Sequence, residues 1–534
     1  GTISGQFVGL SFGQSLEGTI FNCGIIEGTN LDGIRLFEVD GGVVINDGGR
    51  IQGVDFSVNF GLGDGTLVLS GPSHLVGTIG GGAGSDVIRF ENMRGINAAK
   101  QAELAALAAA DPVAGTVTLF GETIEWENIQ DIQADLTTLV SYESLLTGPG
   151  LSDYARALDN VQGLTDSFRA LLKELNNADL NLLNDGASNS SGQTLHMGLD
   201  DFVRNQDTRL YSLLSNEFAS LRPRDSASDR TAAGRSSGLF SREVPISATV
   251  GDSSDGTEPF LTGYVEQGNQ SATGSRPDSS YDNTTILFGS GKKVTSDIYL
   301  GVFGGYTDNE SRVDGFGSLL KNEAGYFGMT AQYEGDFLFA NLVAAYGFHD
   351  QMSRRRDIAG NVMEGDAIGH QGILYTQVGR EYRLATESNI AITPYAGFAL
   401  SSLSMGGYTE SGPVGTALRF ESETMTSFQT VLGVTASCFK ETSRGWVKPR
   451  FDVAWWHEFD ESDQFGVAFA NPGQLNALTI SGVAANRDRG VFQAGVEFGF
   501  DRWEALTFDA GYFGTIGGEK FSAHGGSISA NLEF

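Results

Sequence analysis

Positive charge is what this sequence has least of. Its 34 Lys and Arg face 66 Asp and Glu, a formal net charge of -32, so it offers no basic face to a phosphate backbone and is excluded as a nucleic-acid binder. Cysteine is almost missing: Cys23 and Cys438 fall in regions of different pattern, so no disulfide between them is expected. No run approaches the ~18 consecutive apolar residues of a transmembrane helix. No leader precedes Gly1, which opens directly into strand-like sequence, and this predicts a mature fragment or a larger region cut away upstream. The six histidines form no H-x-x-x-H and no Cys/His cluster. His457-Glu458 lacks a zincin's second histidine and reads as structural, and Gly289-Ser290-Gly291-Lys292-Lys293 lacks a P-loop glycine at the required spacing. The acidic residues are too dispersed to define a catalytic pair. No catalytic residue, no cofactor and no enzyme activity are expected of these residues.

Glycine and alternation are plentiful instead. The 73 glycines are roughly double the usual ~7% share, which suits solenoids and barrels. The chain ends G-G-S-I-S-A-N-L-E-F, where Ile528, Ala530, Leu532 and Phe534 alternate with polar residues. That period of two gives a strand with one apolar and one wet face.

Residues 1–135 carry short apolar runs, Gly42–Ile45, Thr66–Leu69, Asp86–Phe90 and Thr116–Phe120, at intervals of roughly twenty to thirty residues with Gly-rich turns between. This spacing predicts successive rungs of a β-solenoid, with a sandwich of short strands as the alternative. The Ala-rich stretch 97–111 predicts a protruding helix with Asn97 as its N-cap. Gly81-Gly82-Ala83-Gly84-Ser85-Asp86-Val87-Ile88 fits one copy of the calcium nonapeptide, making Asp86 a weak calcium candidate, and Gly61–Thr66 is a distant echo. One copy lacks the ligands of neighbouring repeats, so an ordinary solenoid turn is the expected role and no metal site is assigned.

Across 136–257 the period changes. Leu151, Tyr154, Leu158, Val161, Phe168, Leu172 and Leu175 are spaced for an amphipathic helix to about Leu183. A turn-rich break at 184–192 is expected, then a second helix from about Gly198 to Leu221, then an aperiodic linker. Arg204, Asp207, Arg209, Arg222 and Arg224 are the pore-plug candidates.

From 258 to 534 alternation is continuous. Strand cores are expected at 258–268, 282–291, 296–307, 320–334, 337–349, 367–385, 389–405, 421–440, 445–458, 488–500, 505–514 and 522–534. Most reach the ~9–11 residues that cross a bilayer at a tilt, and their number is even. Every second connection is short, and several between are long (308–319, 350–367, 459–487). The expectation is an all-β chain with a helical connector: a twelve-stranded antiparallel transmembrane barrel preceded by the end of a β-solenoid. Short turns then lie on the periplasmic side and loops outside. Inward-facing Lys448, Arg450, Asp452 and Glu458 are expected to hydrogen-bond to a plug or to water.

In Asp297–Tyr306, Ile392–Leu400, Ser427–Thr435, Val447–Phe459 and the terminal N-L-E-F, and upstream in Glu125–Asp135 and Tyr154–Leu175, the chain resembles the C-terminal part of the classical, monomeric autotransporters of Gram-negative bacteria. The resemblance implies a translocator in outer-membrane lipid, a pore-spanning helix, and a β-helical passenger at the cell surface. It also implies help from periplasmic chaperones and insertion by the barrel-assembly machinery, with Ile528, Ala530, Leu532 and Phe534 matching the signal position by position. Some members cut themselves between two asparagines. Asn176-Asn177 looks similar, but it lies about eighty residues before the barrel and is read as a helix end. Two other functions stay open: a plugged porin-like channel with an accessory domain, and a surface adhesin or structural protein whose activity lies upstream. The passenger's ligand is not legible.

Overall fold

The computed structural model describes the chain except for 14–17, 38–40, 149, 162–164, 197, 200–256, 273–277, 314–316, 336, 385–389, 414, 461–463, 471–477, 482–486, 519 and 533–534. In the first part, strands Thr19–Asn22, Gly42–Asp47, Gly65–Ser70, Val87–Glu91 and Asp131–Ala134 make a five-stranded parallel sheet. Ile20, Val44, Leu67, Ile88 and Ile132 stand in register across it, and the last four are essentially sealed from solvent. Such in-register stacking is the solenoid's own stabilisation, each rung covering the apolar face of the next.

Polar residues stack too: buried Asn22 donates to Asn46 at 2.7 Å across 24 residues of chain. An eight-stranded sheet forms the other wall, including Thr2–Gly5, Ile25–Gly28, Arg50–Asn59 and His74–Gly80 in parallel pairing. Rungs approach so closely that a Cβ on Gly82 would sit 1.2 Å from the Gly61 carbonyl oxygen.

One expected rung is not a rung. The run at Thr116–Phe120 forms the strand Gly115–Leu119, which pairs antiparallel with Glu122–Glu127 as a hairpin. Together with helix α1 (Ala98–Ala110, capped by Asn97) it is inserted into the last turn of the solenoid. The Asp86 amide accordingly reaches Gln130 across 44 residues, twice the usual interval.

Helices α2 (Tyr142–Leu145), α3 (Ser152–Asp159), α4 (Asp166–Asn177) and α5 (Leu180–Ser190) follow. The expected single helix is thus divided, and the expected break at 184–192 is helical as far as Ser190. Tertiary contacts override the turn-forming residues there. Asn184 folds its amide onto Leu180 O and accepts from the amides of Thr147 and Gly148, while Gly186 lets Ile358 approach closely.

The remaining chain closes into a twelve-stranded antiparallel barrel. Its strands are Thr257–Gln270, Ser279–Lys293, Ile298–Val313, Ser318–Glu334, Phe339–Arg356, Val362–Gly379, Ile390–Met405, Glu423–Cys438, Gly445–Glu458, Asp488–Phe500, Trp503–Gly517 and Phe521–Leu532. Closure is the pairing of the last strand with the first, Gly526 against Val265 and Phe521 against Gln270.

Burial alternates along the strands, without a break in Phe339–Arg356. Along Phe339–Arg356, Leu342, Tyr346 and Phe348 point outward and exposed while Asn341, His349, Gln351 and Ser353 point inward and buried. The outward belt is apolar, as a bilayer requires, and the inward face mixes these polar groups with a buried apolar cluster that includes Leu287, Phe303, Val343, Val431 and Trp456. Two connections, 314–317 and 357–361, are shorter than expected because the flanking strands run on to 16–18 residues. The hydrogen-bond ladder continues beyond the apolar belt, where the outer face turns polar at Asp350, Arg354 and Arg356.

Candidate functional site

A closed barrel presents a lumen and two mouths. Inward side chains of several strands pair across the wall. Asn322 Nδ2 donates to His349 Nδ1 (3.1 Å), His349 Nε2 meets Gln371 Oε1 (3.1 Å), and Gln371 Nε2 donates to Ser401 Oγ (2.8 Å). The wall also satisfies two of the inward carboxylates named from sequence. Asp452 accepts from Thr435 Oγ1 (2.6 Å) and Tyr395 OH (3.0 Å). Glu458 accepts from Ser427 Oγ (2.6 Å) and the Phe428 amide (2.9 Å). Lys448 and Arg450 are buried on the same face. Neighbouring strands thus present hydroxyls and an amide to both carboxylates at hydrogen-bond distance.

The mouth on the loop side is more elaborate. The connections 406–422 and 459–487 build a four-stranded antiparallel sheet, Tyr408–Thr409, Leu418–Phe420, Gln464–Phe469 and Leu478–Ser481. Beneath it, α5 ends on a buried ion pair. Arg355 is shielded completely and holds Glu410 with two bonds, Nε to Oε1 at 3.0 Å and Nη2 to Oε2 at 2.6 Å. Its Nη1 donates to Ser190 O at 3.0 Å and its Nη2 to Thr416 O at 3.0 Å. A guanidinium thus meets the carbonyl end of a helix, where the backbone dipole is negative. Buried Asn189 completes the clasp: it accepts from Ser318 Oγ (2.6 Å) and bonds the Arg356 carbonyl.

Just past α5, His196 Nε2 meets Glu423 Oε1 at 2.6 Å, and its ring stacks on Phe465 at 4.6 Å. Leu199 then packs among inward Leu320, Ala367, Leu403, Met405 and Met425.

On the solenoid side, α4 is tied to the last rungs. Arg94 donates to Leu175 O (2.6 Å), and the Arg94 amide donates to Asn176 Oδ1 (2.8 Å). Asn176 is therefore buried against the solenoid and outside the lumen, with its amide nitrogen on Asn92 O at 3.2 Å. Further along α4, Arg169 contacts both His74 and Asp166. Burial and the Arg169 charge hold the His74 ring below the ordinary histidine pKa. Asp159 caps α2, accepting from Ser141 Oγ and the amides of Tyr142 and Glu143.

Both Asp86 oxygens are occupied by backbone amides, Gly65 at 2.9 Å and Gly82 at 2.8 Å. Burial raises its carboxyl above the usual aspartate range, and those amides partly oppose the rise. Asp86 here pins the turn to the rung beneath it, and no cluster of three or more metal-type ligands occurs among the described residues.

The pore-plug candidates Arg204, Asp207, Arg209, Arg222 and Arg224 lie outside the described residues. Ile528 and Ala530 lie on the last strand, opposite Ala510 and Phe508 in backbone register, with Leu532 at its end; Phe534 falls outside the described residues. The Arg355–Glu410 pair and the loop sheet were not singled out from sequence, because two residues 55 positions apart carry no local signal.

Residues 260–512 match the sequence profile of the autotransporter beta-domain family. Among solved structures, the chain is similar to the translocator domain of the autotransporter NalP from Neisseria meningitidis (14% identity, 51% of this chain and 87% of that one, TM-score 0.39). It is also similar to the beta domain of the Bordetella autotransporter BrkA (17% identity, 52% and 99%, TM-score 0.39). A third is the transport unit of the autotransporter AIDA-I from Escherichia coli (15% identity, 62% and 98%, TM-score 0.37). No curated protein sequence gives a significant match.

Proposed function

Because this chain belongs to the autotransporters through the β-domain at residues 260–512, we propose a division of labour along it. The chain is an outer-membrane translocator that exports a passenger. In our reading 258–534 is the translocator, 136–257 the connector, and 1–135 the C-terminal part of the exported solenoid.

The observation that carries this reading is one of position. The solenoid and its helices sit at the loop-side mouth, clasped by Arg355 to the end of α5, whereas the first barrel strand begins at the opposite rim, where Thr257 pairs with Lys292 beside the short turn 294–297. Leu199 already lies inside the mouth, so a path through the lumen is the direct route between these two points.

The last strand, Phe521–Leu532, pairs with the first through its leading half. We assign Ile528, Ala530, Leu532 and Phe534 as the signal read by the barrel-assembly machinery, with periplasmic chaperones as partners before insertion. The translocator half has no catalytic role in this reading; any activity of the passenger is a separate property of the exported part.

Protease shaving of intact cells tests the arrangement, with epitopes placed in residues 1–130 and in the barrel. Loss of the first with survival of the second is the expected result. Protection of both would put the solenoid in the periplasm and overturn the reading.

A further inference from the structure

The apolar belt of the barrel has two edges, and they differ in charge. On the loop side it gives way to Asp308, Glu323 and Asp350, outward residues that stand directly opposite one another across three strands. On the turn side it ends beyond outward Val378 at exposed Arg380. Gly379 pairs with Phe339, so Arg380 comes level with Leu338, the exposed residue just before the neighbouring strand. From Leu338 to Phe348 every outward side chain of that strand is apolar or aromatic. A rise of ~3.4 Å per residue at a tilt of ~35–45° makes this stretch about 24–28 Å tall, which matches the ~25 Å band of an outer-membrane barrel. Arg380 therefore stands at headgroup level, at the end of the belt away from the loops.

Its surroundings hold the cation without neutralising it. The guanidinium carbon lies 5.6 Å from the Phe337 ring centroid and 5.1 Å from that of Tyr382, and both rings are exposed on the protein surface, 71% and 50%. Neighbouring Glu381 is taken by Arg383 at 2.6 Å, and Arg380 enters no ion pair among the described residues. Cation–π contact uses the ring faces and consumes none of the five guanidinium N–H donors. A planar fork of donors fits a phosphate, and aromatic rings belong at this depth.

We propose that Arg380, Phe337 and Tyr382 form a binding site for the phosphodiester of one glycerophospholipid in the leaflet on the turn side. The fork bonds the phosphate, the rings hold the fork, and the acyl chains run along Leu338, Leu342 and Val378, all exposed on this face. The Asp308–Glu323–Asp350 row repels an anionic headgroup at the other edge, so on these strands the site serves one leaflet. It ties the turn-side rim to headgroup level. The assignment of that leaflet rests on the reading of the short turns as periplasmic.

The test uses the purified full chain in mild detergent, stripped of lipid, with native mass spectrometry reading the lipid it retains. The probes are phosphatidylglycerol, a diacylglycerol with the same acyl chains and no phosphate, and lipopolysaccharide. Arg380→Gln, Arg380→Lys and Phe337→Ala are compared with the parent, and heat-modifiable migration reports that each barrel is folded. The parent is expected to retain one phosphatidylglycerol and little diacylglycerol. Retention should fall about tenfold in Arg380→Gln, which loses charge-assisted hydrogen bonds, and about threefold in Phe337→Ala, which loses one cation–π contact. Arg380→Lys should lie between parent and Arg380→Gln, because it keeps the charge without the planar fork. Equal retention of phosphatidylglycerol by the parent and Arg380→Gln would overturn the site, as would equal retention of phosphatidylglycerol and diacylglycerol by the parent. Arg380-dependent capture of lipopolysaccharide in place of phosphatidylglycerol would overturn the leaflet instead, and with it the periplasmic reading of the turns.

Discussion

The two halves of this chain use one local pattern to opposite ends. In the solenoid, Val44, Leu67 and Ile88 turn inward from water and stack on each other. In the barrel, Val302 and Phe348 turn outward, 62% and 58% exposed on the protein surface, and the inward positions carry Asn322, His349 and Gln371. A period of two establishes that a strand has two faces, and it does not say which face meets the solvent. Strand length and pairing decide that. Rungs of 4–6 residues pair in parallel with the next turn, whereas strands of 12–18 residues pair antiparallel with chain neighbours and close on themselves.

Placing a charge in each half should sharpen this contrast. Leu67→Asp puts a carboxylate between Val44 and Ile88 with no partner, a cost above about 4 kcal/mol. We expect loss of the solenoid's protease resistance with the barrel's heat-modifiable migration intact. Arg355→Ala leaves Glu410 buried and unpaired where the halves meet, which costs about 3–5 kcal/mol. Proteolytic cleavage near 191–200 should then become fast while both halves keep their own stability, and the paired change with Glu410→Leu should recover part of the loss.

On the barrel's lipid face, Val302→Lys costs about 2–4 kcal/mol near the bilayer midplane. Urea unfolding in vesicles should report this, with no effect on the solenoid. The smallest effect is on acidity and is confined to the first half. The His74 pKa is held below its ordinary value, so the unfolded chain takes up the proton first. Stability is fully present above about pH 6.5 and declines as the pH falls below it. His74→Gln should flatten this slope when urea unfolding is compared at pH 7.5 and pH 5.

The sequence was most legible where local pattern and pairing agree. The strands Gly445–Glu458 and Asp488–Phe500 coincide with the alternation at both ends, since in each the apolar run stops where the ladder stops. For Phe339–Arg356 the two part company. The ladder runs to Arg356, but beyond Phe348 the outer face is mostly charged, with Asp350, Arg354 and Arg356 around Met352, so reading by hydrophobicity ends the strand early. The hairpin at Gly115–Leu119 was indistinguishable from a rung for a related reason: a short Val/Thr/Leu run is the same sequence in parallel or antiparallel pairing.

The alternation, the even number of long segments and the ~20-residue recurrence of short ones were enough to establish the barrel, the solenoid and their order. Those are properties of single strands and of spacing, which a sequence carries directly. The partners of those strands were settled only in three dimensions. Asn184 became part of a helix because Thr147 and Gly148 needed an acceptor. Asn176, read from sequence as a helix end, packs on the solenoid because Arg94 and Asn92 hold it there. Phe469, one apolar residue in a long loop, became the contact between the barrel's loop sheet and helices α3 and α4, because burial there depends on two surfaces that are hundreds of residues apart along the chain and meet only in the folded molecule.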